Sequence, residues 1–205
     1  MRFINKAFHL FDYVYYLYVC CMSERYKVIN SEVPTFITIT VIGWVDLFVR
    51  RVYTNIIDDA LNYCIKNKGL KVHAYVYMTS HLHLVVSSTE NELQDIIRDF
   101  KKHTSKQLIK AIQDINESRR EWMMNKFSYE ANRSGRTSNY KLWQDGFHPV
   151  ILDTNTKLQQ RLNYIHYNPI EAGFVKEERD WVNSSYLAYE VENYKLSNVP
   201  IDILY

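Results

Sequence analysis

Two apolar, β-branched runs lie almost end to end at Leu70–Met78 and His81–Ser88, with only Thr79-Ser80 between them. So short a link sends the second run straight back along the first, so the pair reads as a tight antiparallel hairpin. On a strand, residues two apart share a face. His81 and His83 therefore project side by side, while Leu82 and Leu84 turn into the other layer. The histidines open the second arm, near an end of the sheet, where a site can be reached. Two neutral imidazoles on one face make half of a divalent-metal site. Seven histidines in 205 residues produce some His-x-His pair by composition alone in roughly a quarter of such chains. The weight therefore rests on where this pair sits, and on a second constellation about eighty residues downstream.

The flanking elements follow from periodicity. Thr35–Gly43 is β-branched and reads as the first strand. Phe48–Asn67 carries Val52, Ile56, Ala60, Tyr63 and Cys64 at helical spacing and stops at Lys68-Gly69, a usual C-terminal signal. After the hairpin, Leu93, Ile96, Ile97, Phe100, Thr104, Leu108, Ile109 and Ile112 line one face of a helix. Ser118–Phe127 reads as a further short helix, Asn132–Asn139 as a loop and Phe147–Leu152 as a strand. Asp153 or Thr154 caps a helix over Thr156–Asn168 that ends at Pro169. The order β-α-β-β-α-(α)-β-α predicts an α+β fold. It has the split β-α-β pattern of ferredoxin-like (RRM-like, palm-like) domains: an antiparallel sheet with helices on one face, plus a C-terminal helix.

At 47% hydrophobic, with five Gly and four Pro, the chain has material for one sizeable core and little for linkers. Cys20, Cys21 and Cys64 are odd in number and lack metal-finger spacing, which suits a reducing cytoplasm. Residues 1–21 are aromatic and apolar around Asp12. The run Tyr13–Met22 is too short to span a bilayer, and Cys20-Cys21 stands where a signal peptide would carry small residues. They read as an N-terminal extension outside a single domain over 22–205, with no stable membrane partner; a short membrane-associating helix is the alternative.

The net charge of +2 conceals an uneven distribution. Arg98–Arg136 holds ten Lys/Arg against five Asp/Glu, so this segment carries +5 and the remainder −3. Such a basic segment is the electrostatic footprint of a nucleic-acid face; a solvated amphipathic helix is the plain alternative. Lys101, Lys102, Lys106, Arg119 and Arg120 are the candidate backbone contacts.

In the last helix Leu158, Leu162 and Ile165 form the core stripe, and Tyr164 and Asn168, four apart, share another face. Here the sequence becomes recognisable. Tyr77-Met78-Thr79-Ser80-His81-Leu82-His83-Leu84-Val85-Val86 resembles the His-hydrophobic-His motif of the single-tyrosine HUH transposases. Asn163–Val175 (NYIHYNPIEAGFV) resembles the tyrosine helix of their REP-associated branch, and IIRDFKKHTSKQL and Trp143-Gln144…His148-Pro149 are also similar to it. The resemblance runs from about Met22 to Tyr189. Ser80 replaces the more usual Asn before the first histidine, a departure expected to touch only the turn.

The resemblance implies an enzyme that nicks and rejoins single-stranded DNA at a folded hairpin without ATP, acting as a monomer or homodimer. It implies His81 and His83 as metal ligands, Tyr164 as nucleophile and Asn168 as a third ligand through its amide oxygen. Chemistry agrees with that set. A phenol of pKa about 10 attacks poorly at neutral pH unless its charge is offset, and a cation held by three neutral ligands keeps its full +2. Mixed N/O ligation completed by water suits Mg²⁺ or Mn²⁺. His103 and His166 could touch phosphate, though on helices full of polar partners the structural reading is the stronger; His73, His148 and Gln144 read as structural.

Two other readings compete. A non-catalytic nucleic-acid binder on the same sheet would carry stacking aromatics on its central strands, where this chain has histidines. A metal-dependent hydrolase would want carboxylates or further histidines beside His81 and His83, and none is local in the sequence.

Overall fold

The computed structural model describes residues 28, 30–135, 138–191 and 198–204. The expected extension over residues 1–21 lies outside them. Strand β1 (Thr35–Thr40) is followed by α1 (Arg51–Lys68), the hairpin β2 (Leu70–Tyr77) and β3 (His81–Ser88), and then α2 (Leu93–Asp114) and α3 (Arg120–Arg133). A two-residue strand β4 (Val150–Ile151), the long helix α4 (Asn155–Glu171) and a short α5 (Tyr186–Glu190) complete the order. The sheet runs β2-β3-β1-β4 with every neighbouring pair antiparallel. This is the ferredoxin-like order: β3 lies between β1 and β2, and α1 crosses from one to the other.

Alternation along the strands separates two cores. Ile37, Ile39, Leu82, Leu84, Tyr75 and Tyr77 pack with α1 and α2 on one face. Phe36, Ala74, Val76 and Val85 pack with Leu158, Leu162 and Ile165 of α4 on the other. The tyrosine-bearing helix thus covers the face opposite the two crossover helices, and it is the histidine face. Each fully buried Leu or Ile side chain of that seam contributes about 1.5–3 kcal/mol, and Ile165→Ala would cost about 2–5 kcal/mol.

A bulge in β2 keeps both faces in phase. Val72 pairs with Val86 and Ala74 with Val85, leaving His73 as the extra residue. Its buried ring bonds at both nitrogens. Nδ1 donates to the Asp202 carbonyl at 2.7 Å, so Nε2 accepts from the Ser87 hydroxyl at 2.8 Å. Beyond the bulge Tyr75 and Tyr77 share the face of Val72, a face that strict alternation would deny them.

All eight residues expected on the inner face of α2 are buried. In α1 the expected stripe is displaced by one position: Val52 and Tyr63 are exposed, and Tyr53, Ile57 and Leu61 point inward beside Ala60 and Cys64. Gly69 ends α1 at φ 68 with its N–H on the Cys64 carbonyl. A Cβ there would also lie 2.7 Å from the Cβ of Glu90, so the position requires glycine on two counts.

Three other expectations need correction. The strand expected over Phe147–Leu152 shrinks to two residues, because His148 adopts φ 47 and Pro149 has no N–H to give the ladder. Ser118–Phe127 gives way to the longer, later α3. Helix α4 does not stop at Pro169 but runs through it. The carbonyls of the last turn are taken from beyond the proline, by Ala172 on Asn168 at 2.9 Å and Phe174 on Pro169 at 2.9 Å. Thr154, of the two candidate caps, accepts from the Lys157 N–H.

The tail from Trp181 finds a place along the outer edge of β2. Tyr77 donates to the Asn183 carbonyl at 2.8 Å, and Ser185 donates to that of Tyr75 at 2.9 Å. An edge that would otherwise present unpaired backbone is covered. Among the described residues no helix is long and apolar enough to cross a membrane.

Candidate active site

Register places the histidines. Thr38 of β1 lies opposite His83 and Thr40 opposite His81, so a hydroxyl-bearing side chain stands beside each ring. Thr38 Oγ1 is 2.9 Å from Nδ1 of His83. Ser80 Oγ is 3.2 Å from Nδ1 of His81, so the departure at Ser80 reaches beyond the turn and touches the ring itself. A ring that donates Nδ1–H to its hydroxyl presents a bare Nε2, the form a metal requires. The two rings sit 4.7 Å apart, centroid to centroid, at 76°.

Helix α4 delivers the tyrosine to the same place. The Tyr164 hydroxyl is 3.5 Å from Nε2 of His83, at the long limit of hydrogen bonding, with ring centroids 5.2 Å apart. Phe36 stacks on His83 at 5.3 Å and meets Tyr164 edge-on at 5.9 Å. The Arg161 guanidinium lies over Phe36 at 4.9 Å and over Tyr164 at 5.7 Å, a cation–π arrangement one turn before the tyrosine. Leu158, Leu162 and Ile165 press the helix onto the sheet, and that contact fixes where Tyr164 points.

The electrostatics keep both imidazoles neutral. Burial pushes His81 down to about 4, opposed by the Asp46 carboxylate, although the residue keeps part of its surface exposed. Burial pushes His83 well below the usual imidazole range; any charge gained by His81 would lower it further, as the Arg161 guanidinium does. A neutral nitrogen with a free lone pair binds a cation instead of repelling it.

Asn168 lies one turn beyond Tyr164 on α4 and is half-buried. Among the described residues no hydrogen bond joins it to either histidine. No cluster of three or more His, Cys, Asp or Glu is present there that could hold a metal; a His–His–amide set is a different donor group. Thr38, Phe36, Trp44 and Arg161 were not singled out by the sequence. Only the cross-strand register, set between β1 and a strand 45 positions on, could have pointed to Thr38.

The candidate DNA contacts lie elsewhere. Lys101, Lys102 and Lys106 are on α2, across the sheet from the histidines. Lys101 turns inward, donating to the Gln144 carbonyl at 2.7 Å and to that of Gly146. Lys102 and Lys106 are exposed and, with Arg98, Lys110 and Lys141, line a basic groove of about 750 Å³ between α2 and residues 138–147. Arg119 pairs with the buried Glu117, and Arg120 donates to the carbonyls of Ile112 and Ile115. His166 is buried against the Ser185 hydroxyl at 3.0 Å, and His103 is exposed.

Comparison with known proteins bears on the family and the fold. A REP-associated tyrosine transposase of Haemophilus influenzae is 26% identical over 136 residues, 65% of this chain and 69% of that one. A solved REP-associated tyrosine transposase, bound to a REP hairpin, superposes with a TM-score of 0.59 at 16% identity, covering 88% of this chain and 96% of that one. That likeness is one of fold. The family model described as "Transposase IS200 like" matches residues 11–139, more than half of the chain. The chain belongs to the family of IS200-like transposases.

Proposed function

We propose that this transposase nicks and rejoins single-stranded DNA at a folded hairpin through a covalent 5′-phosphotyrosine on Tyr164. The observation that carries the reading is the meeting of Tyr164 and His83 on one face of the sheet, hydroxyl to Nε2 at 3.5 Å. The REP hairpin carried by the solved relative supports a hairpin as the partner. In the cutting step the Tyr164 oxygen, having lost its proton, forms a bond to phosphorus. The bond from phosphorus to the 3′ oxygen breaks, and that oxygen leaves and takes up a proton. Attack of the 3′-OH on the phosphotyrosine reverses the exchange, so no nucleotide cofactor is required.

His81, His83 and the Asn168 amide oxygen are the residues that would hold a divalent ion, Mg²⁺ or Mn²⁺. The fit rests on the donors: two imidazoles kept neutral by burial, with Nδ1 of each against a hydroxyl and Nε2 left for ligation. When bound, such an ion supplies positive charge at the scissile phosphate and the leaving oxygen. Phe36 and Arg161 keep the phenol ring against His83. Residues 22–205 form the working unit in this reading, with 1–21 as an accessory extension.

Incubation of a labelled hairpin oligonucleotide with and without Mn²⁺, resolved on a denaturing gel, tests the reading. A metal-dependent 3′-OH product with the other strand end attached to protein is expected. Two free DNA ends and no protein adduct would instead make this a hydrolase.

A further inference from the structure

Trp44 combines an unusual backbone with an exposed ring. It adopts φ 55 directly after Gly43 at φ 65, and His148 is the only other non-glycine with positive φ among the described residues. For a bulky side chain such a backbone is held only where the surroundings over-determine it, and such residues cluster at ligand clamps. The surroundings here are specific. Val41 donates to the Ser80 carbonyl at 2.9 Å and Phe48 to that of Thr79 at 2.8 Å. The Thr79 hydroxyl donates to Asp46 at 2.6 Å. Val45, Leu47 and Phe48 are buried on either side of that carboxylate, and a Cβ on Gly43 would lie 2.5 Å from Cε of Lys126. The loop is thus laced to the hairpin turn that precedes His81.

All this anchoring leaves the indole outside. Trp44 is 45% exposed, and its ring meets His81 edge-on at 5.3 Å and 74°. A chain seeking only stability would bury an indole or place glycine at φ 55. This one leaves nearly half of the Trp44 surface exposed beside one of the two histidines.

We propose that Trp44 is a stacking platform for the unpaired nucleobase next to the scissile phosphate, an inference that rests on the strand-cutting reading above. Single-stranded DNA exposes base faces that duplex DNA hides, and a flat aromatic accepts any of them. A base seated on Trp44 brings its own phosphate toward His81 and His83 and so orients the bond that Tyr164 attacks. Trp44 is in this account a substrate-binding residue that the metal-ligand and nucleophile pattern does not contain.

The test uses hairpin oligonucleotides in which each nucleotide in turn, unpaired or in the stem, is replaced by an abasic residue. Binding by anisotropy and cleavage in Mn²⁺ are measured for the full chain, Trp44→Gly and Trp44→Phe. Glycine suits the left-handed backbone, so the fold tolerates the first substitution. On the intact oligonucleotide Trp44→Gly should lose roughly five- to 150-fold, the range that one base–aromatic stack supplies, and Trp44→Phe should retain most of the function. One abasic position should weaken the wild-type chain by a similar factor and add nothing to Trp44→Gly. Equal behaviour of Trp44→Gly and wild type, losses that multiply at every position, or coupling to a paired stem base would each overturn the proposal. Coupling seen in binding without any cleavage would uphold the platform and defeat the cutting reading instead.

Discussion

Tyr164 on α4 and His83 on β3, 81 positions apart in the chain, meet hydroxyl to Nε2 at 3.5 Å. Each is held by its own layer: His83 by the Thr38 hydroxyl on the neighbouring strand, Tyr164 by the apolar seam of α4 on the sheet. Phenol and imidazole are thus brought together by the packing of one helix onto one sheet face.

Thr38→Val keeps the shape of the side chain and removes the hydroxyl beside Nδ1 of His83. Loss of such an outer partner typically costs 10- to 100-fold in metal affinity. Mn²⁺ titration followed by calorimetry should show that loss with the far-ultraviolet circular dichroism unchanged. Unaltered affinity would mean that Thr38 does not orient the ring.

The basic groove separates two kinds of lysine. Lys102→Gln with Lys106→Gln should flatten the salt dependence of hairpin binding, whose log–log slope is set by about 0.7 per neutralised phosphate on single strands, and should leave Tm alone. Lys101→Gln should instead lower stability by about 1–3 kcal/mol, because its ammonium bonds the carbonyls of Gln144 and Gly146. An unchanged slope in the double variant would place the DNA elsewhere.

Much of this arrangement was legible in the sequence. The α2 stripe reads correctly because its apolar positions are flanked by lysines, which fixes the phase. In α1 apolar residues lie on both sides of the stripe, at Val52-Tyr53 and Ile56-Ile57, and the phase slips by one. His81, His83 and Tyr164 could be singled out from spacing and resemblance. Thr38, Phe36 and Arg161 could not, because their roles depend on register and helix placement, both set by contacts remote in the chain. Neither the inward turn of Lys101 nor the left-handed backbone of Trp44 carries a local sequence signal.

Acid should destabilise the fold ahead of general charge repulsion. Burial pushes His166 down to about 4 from an ordinary 6.5, and His73 and His83 are lowered for the same reason. Between those values the unfolded chain binds a proton that the folded chain refuses. Stability is therefore full above about pH 6.5 and declines as pH falls toward 4. Urea midpoints should drop over that window, with His166 contributing on the order of 3 kcal/mol. In His166→Gln the drop should be shallower, and an identical profile would remove His166 from the account.

A chain truncated to begin at Met22 should keep its solubility and hairpin-nicking activity, since the proposed chemistry draws on no residue before Phe36. Failure of the shortened chain to fold would show that the apolar residues of 1–21 pack on the domain.

The central claim is that Tyr164 becomes covalently bonded to DNA. Tyr164→Phe removes one hydroxyl and keeps the ring, so hairpin DNA and metal should bind as before while cleavage is lost. Tyr167, on another face of α4 and 51% exposed, is the neighbour most open to confusion, and Tyr167→Phe should cut nearly normally. Peptide mapping of the adduct trapped on the wild-type chain decides between them: the account predicts a 5′-phosphate on Tyr164, and a phosphate on Tyr167, or an adduct still formed by Tyr164→Phe, would contradict it.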